Sequence, residues 1–66
     1  MPPNVGTRVK LNQPSMGYPA GTEGVVLSVN SDGTINVQVT HTPTCQPDAG
    51  FIAAQSPALF GPATCP

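Results

Sequence analysis

From Gly21 to Val39 the chain reads GTEGVVLSVNSDGTINVQV, two valine-rich runs joined through Asn30-Ser31-Asp32-Gly33. No other stretch restricts the fold as tightly. Asn and Asp favour turn initiation and Gly33 accepts a positive φ, so the two runs predict a β-hairpin whose register is set at Asp32-Gly33. The second run alternates, with Ile35, Val37 and Val39 on one side and Thr34, Asn36, Gln38 and Thr40 on the other. That is the pattern of a strand with one buried and one wet face. In the first run Val25, Leu27 and Val29 share a face and are expected to supply the core, with Val26 opposite beside Ser28 and Asn30. A strand that is apolar on both sides near its start is expected to be central and bent. Asn-x-Asp-Gly also occurs in calcium loops, but the remaining ligands of such a loop are missing here, so the turn reading stands.

The rest of the chain adds shorter elements. In VGTRVKL, Val5, Val9 and Leu11 share one face of an extended segment while Arg8 and Lys10 take the other, which predicts a half-buried first strand. Residues 12–20, NQPSMGYPA, carry two prolines and a glycine and read as a loop anchored by Met16 and Tyr18. HTPTCQPDAG reads as a polar connector and FIAA as a fourth strand, with Phe51 and Ile52 as its bulk. In SPALFG, Ser56 can cap a single helical or 3₁₀ turn, Pro57 suits its first position and Gly61 can close it, leaving Leu59 and Phe60 to pack inward. The expected architecture is all-β: one domain over residues 1–66, about five short strands and one helical or 3₁₀ turn near the C-terminus.

The order Gly6-Thr7-Arg8-Val9-Lys10-Leu11, a loop, Gly21-Thr22-Glu23-Gly24-Val25-Val26, a turn and Ile35-Asn36-Val37-Gln38-Val39 resembles the first three strands of a small SH3-like barrel. It is most similar to the KOW type, over Gly6 to Val39. The phrase G-x-x-G-x-V carries most of the likeness. In that family the paired glycines, here Gly21 and Gly24, let the loop turn tightly into a bent second strand, as glycine permits physically. The resemblance implies a fold rather than a task, because such barrels serve in ribosomal and transcription proteins, photosystem and enzyme subunits and viral structural proteins.

Charge narrows the task. Charged residues make up 8% of the chain, against roughly 25% in ordinary soluble domains, and beyond Gly33 the only one is Asp48. Nucleic-acid binding, common among KOW-type modules, requires cations to displace counterions from phosphate. Arg8 and Lys10 are the only Lys or Arg residues. A polyproline groove needs several aromatic side chains, whereas the chain has one Tyr and no Trp, so Tyr18 reads as an anchor pinning its own loop. No catalytic constellation is present: His41, Cys45 and Asp48 fall in one proline-broken segment, a poor scaffold for precise geometry. His41 with the two cysteines lacks the paired spacing of zinc sites. No metal or other cofactor is therefore expected.

Cys45 and Cys65 leave three arrangements open: a bridge within the chain, free thiols, or bridges to neighbouring copies. An intrachain bridge would close a loop of about 20 residues and stabilise by about 3 kcal/mol on the chain-entropy account. That is a large share for a domain this small. The opening MPPNVGTRVK lacks the basic and apolar regions of a signal peptide, which makes cytosolic synthesis the simplest expectation. No stretch reaches the roughly 20 apolar residues of a membrane span.

A neutral surface is cheap to desolvate against a protein partner. The expectation is accordingly a non-enzymatic subunit on a large protein assembly, most concretely a viral capsid decoration protein made in the host cytoplasm and carried on the virion. The alternatives are an accessory barrel of a cellular enzyme or photosynthetic complex, with a cytoplasmic location, and a KOW-like nucleic-acid module. The expected docking elements are the N-terminal arm with Pro2 and Pro3, the 12–20 loop with Met16 and Tyr18, and the 41–50 loop with His41, Pro43 and Pro47. Their stiff prolines lose little entropy on binding.

Overall fold

The computed structural model describes residues 4–66. Its centre is the hairpin of β1's two successors in sequence, β2 (Glu23–Val29) and β3 (Ile35–His41), where β1 is Arg8–Leu11. The connecting turn closes as its residues dictate. Gly33 N donates to Asn30 O at 3.0 Å and Asn30 N to Thr34 O at 2.7 Å. Asp32 Oδ1 accepts from Thr34 N at 3.0 Å and from its hydroxyl at 2.6 Å, while Gly33 takes φ 89°.

Strand β4 (Pro47–Gln55), a 3₁₀ helix (Pro57–Leu59) and β5 (Phe60–Pro62) complete the chain. The five strands form one antiparallel sheet in the order β4-β3-β2-β1-β5, curled into a half-barrel. The fold is all-β with one 3₁₀ turn near the C-terminus, as expected. Among the described residues, seven side chains form its core: Val9, Leu11, Val26, Ile35, Val37, Val39 and Ile52. Tyr18, Leu59 and Phe60 pack against them. Curling brings the β2 and β3 backbones so close that a Cβ on Gly24 would lie 2.9 Å from Gln38 C and 2.7 Å from Val37 Cγ1. Glycine is required there for space.

Strand β2 corrects the hairpin reading. Its buried apolar residue is Val26, whereas Leu27 and Val29 are 44% and 42% exposed and Val25 is half-buried. Register explains the inversion at Val26 and Leu27, whereas Val29, opposite the buried Ile35, shares the core face and is exposed where the strand ends. Gly24 pairs with Val39 and Val26 with Val37, and directly opposed residues share a face, so the inward β3 valines draw Val26 inward. Leu27 and Ser28 then together oppose Asn36, a bulge in which the extra residue leaves the alternation. Val5 also departs from expectation: Gly6 at φ 89° and a Thr7 N to Asn4 O bond turn the chain before β1 begins, leaving Val5 exposed.

Strand β4 begins four residues earlier than FIAA, absorbing Pro47-Asp48-Ala49-Gly50 from the expected connector. Two irregularities accommodate it, opposite Thr40 and opposite Asn36. At the second, Ala54 adopts φ 54° and donates its N–H to Asn36 Oδ1 at 2.9 Å. Ile52, paired with Val37, is buried; Phe51, paired with Gln38, faces outward and is 49% exposed, so only one of the two supplies core. Ser56 caps the 3₁₀ turn through Ala58 N, with Pro57 at its start. The turn closes at Phe60, because Gly61 is already a strand residue paired with Lys10.

Candidate functional site

Glu23 occupies a position that nothing in its sequence neighbourhood announces. It pairs with Lys10 across β1 and with His41 across β3, which places it on the sheet face opposite Gly24 and the apolar core. On that second face the C-terminal tail lies over it, and Glu23 is 1% exposed. Its Oε2 accepts from Thr64 N at 3.1 Å, from the Thr64 hydroxyl at 3.3 Å and from Cys65 N at 3.0 Å. Oε1 receives a longer contact from Cys65 N at 3.3 Å. Arg8 Nη2 stands 3.6 Å from Oε1 and Lys10 Nζ 3.8 Å from Oε2. Arg8 Nη2 also donates to Cys65 O at 2.8 Å, and Lys10 Nζ donates to the Thr64 hydroxyl.

A buried carboxylate is stable only when such partners replace water. Burial is the largest single influence on the pKa of Glu23 and acts to raise it. The Thr64 and Cys65 N–H groups, the Thr64 hydroxyl and the Lys10 ammonium together outweigh burial and hold it below the ordinary 4.5.

The two cysteines meet at this cluster. Cys45 and Cys65 are joined as a disulfide, with Cα atoms 5.5 Å apart and a sequence separation of 20. Cys45 sits at φ 65° in the turn after β3, where its N–H donates to Thr42 O at 2.9 Å; Cys65 is 5% exposed. The bridge therefore ties the β3–β4 turn to the tail, and the tail carries three of the donors that neutralise Glu23.

The expected docking residues are distributed differently from the sequence reading. Met16, at φ 50° and 55% exposed, accepts the Ala53 N–H through its sulfur at 3.4 Å. Tyr18 is pinned by paired backbone bonds with Ser15. It lies over β4 so closely that a Cβ on Gly50 would be 2.7 Å from its Cζ. It thus anchors the 12–20 loop to β4, not merely to itself. His41 is a β3 residue whose Nδ1 meets the Thr40 hydroxyl at 2.9 Å, and Pro47 pairs with it from β4. Of the expected 41–50 loop, only the turn carrying Pro43 and Cys45 remains outside strands. Pro43 approaches Gly21, where a Cβ would be 3.0 Å from the proline Cβ, so the 12–20 loop and this turn meet at one end of the sheet. Pro2 and Pro3 lie outside the described residues.

The outward polar row is internally bonded. Asn36 Nδ2 donates to Ser28 Oγ at 2.7 Å and Asn30 Oδ1 at 3.1 Å, and Asn30 Nδ2 donates to Thr34 Oγ1 at 2.9 Å. Beside it, Leu27 and Phe51 are exposed. An apolar groove of about 270 Å³ is lined by Thr7, Arg8, Val9, Phe60, Gly61 and Pro62, on the paired strands β1 and β5 and just before β1. Among the described residues no helix is long and apolar enough to cross a membrane. No family model matches the chain, and no curated protein or solved structure matches it either.

Proposed function

We propose that the protein is a non-enzymatic structural subunit of a large protein assembly, most concretely a decoration protein that binds a viral capsid and stabilises it. The observation that carries this reading is where the charges go. Of the five charged side chains, Arg8, Lys10 and Glu23 converge on one cluster beneath the tail. Asp32 is engaged by Thr34 in the hairpin turn, and Asp48, a β4 residue, by the Ala49 N–H. The part of the outer face bearing Leu27, Gln38 and Phe51 is partly apolar and has no charged side chain among these three, so a protein partner could cover it with little desolvation penalty. The KOW-type resemblance supports the barrel and adds no task of its own. The nucleic-acid reading is weakened by the same cluster, because both cations already face a carboxylate and phosphate binding draws on free ones.

Mechanically, each copy would bridge neighbouring capsid subunits and raise the free energy of separating them. Co-purification tests the assignment. The protein is expected with purified virus particles; recovery with a cellular enzyme or photosynthetic complex would replace this reading by the accessory-subunit one.

A further inference from the structure

We propose that Glu23, Cys45 and Cys65 form a binding site for a thiophilic divalent cation, of which Zn²⁺ is the type, once the disulfide is reduced. One carboxylate oxygen and the two sulfurs lie within 4.8 Å of one another. They come from three separate parts of the chain: β2, the β3–β4 turn and the tail. His41, grouped with the cysteines by sequence, is not the third member. Oxidised, the sulfurs are bonded to each other and offer no thiolate. A dithiol reductant changes that by delivering two electrons and two protons to the Cys45–Cys65 bond, itself closing to a disulfide and leaving two thiols. Binding of the cation then releases both protons as the thiolates form.

The ligand set suits the ion. Zn²⁺ takes sulfur at about 2.3 Å and carboxylate oxygen at about 2.0–2.2 Å in tetrahedral geometry. That geometry requires sulfurs about 3.7 Å apart, so the two sulfurs, bonded to each other in the oxidised chain, must move apart after reduction while staying beside Glu23. Three protein ligands leave a fourth position for water. Of the carboxylate oxygens, Oε1 is the less engaged: it has one hydrogen bond, the 3.3 Å contact from Cys65 N, and Arg8 Nη2 at 3.6 Å, whereas Oε2 accepts three hydrogen bonds. Charge is also nearly matched. Two thiolates and the carboxylate face the cation together with Arg8 and Lys10, three negative charges against four positive. Bound metal would hold the tail to the β3–β4 turn in a reducing compartment as the disulfide does in an oxidising one.

Co²⁺ is the probe, added to the full chain after reduction and removal of the reductant under anaerobic conditions. The expected result is one Co²⁺ per chain with a thiolate charge-transfer band, displaced by Zn²⁺, and no band with the oxidised protein. Glu23→Gln should weaken Co²⁺ binding at least about tenfold. X-ray absorption of the wild-type Zn²⁺ complex, which needs no variant, should show two sulfurs and at least one oxygen around the metal. Absence of one-to-one binding, an unchanged affinity in a folded Glu23→Gln, or a four-sulfur shell shared by two chains would each overturn the site.

Discussion

Glu23 joins β2 to the cations of β1 and to the C-terminal tail. Removing its charge should be felt in the tail as well as in β2. Glu23→Ala leaves the Thr64 and Cys65 N–H groups without their acceptor, and breaking a buried charge network costs about 3 kcal/mol or more; chemical denaturation should read this as a lower midpoint. The pH dependence has a definite sign. The folded-state pKa lies below the ordinary 4.5, so the contribution is complete above that value. It is lost as pH falls below 4.5 through the folded-state pKa. Asp32, held low by the Thr34 hydroxyl and N–H, acts in the same direction. Acid unfolding of Glu23→Gln should therefore begin from a lower stability and fall less steeply than that of the wild type; parallel curves would contradict the role given to Glu23. Gly24 makes a different demand. Gly24→Ala drives a methyl into the β3 backbone at Gln38, and overpacking of this kind costs about 1–3 kcal/mol, seen as a lower melting temperature with the sheet retained. Of these two residues, Gly24 was marked by its pairing with Gly21, but for a tight turn rather than for the space that its place in β2 requires. Glu23 was not, because its burial is created by a tail 41 and 42 positions away in sequence.

Among the elements, those with strict alternation were readable. In β3 Ile35, Val37 and Val39 all face the core as the pattern requires. β2 carries apolar residues at both parities, so its inward side is decided by its partner and by the bulge at Leu27, neither of which leaves a local signal. β4 was hidden for another reason: Pro47 and Gly50 are turn residues by propensity, yet one starts an edge strand and the other makes room for Tyr18. The exposed edge of β4 is also blunted, since the Ala49 N–H is taken by Asp48 and the Ala53 N–H by Met16. Such devices protect an edge strand from pairing with other chains. The cysteine spacing allowed three arrangements, and the intrachain one holds. Its reduction in metal-free buffer should lower stability by about 3 kcal/mol, measured as a shift of the urea midpoint between oxidised and reduced protein. An unchanged midpoint would mean that the tail stays in place without the bridge.

For the molecule as a whole, the scarcity of charge acquires a structural meaning. Three of its charged groups serve to fasten the tail, and the outward polar row of the hairpin is bonded within itself. What remains for a partner is a charge-poor surface with Leu27, Phe51 and Met16 exposed. Attachment through such a surface should vary little with ionic strength, because few charge pairs are available to screen. The most direct test of the proposed role is the thermal stability of virus particles with and without this protein, followed by release of the packaged genome on heating. Particles lacking it should open at a lower temperature, and adding the purified chain back should restore the difference at both low and high salt. Identical opening temperatures for the two kinds of particle would contradict the role.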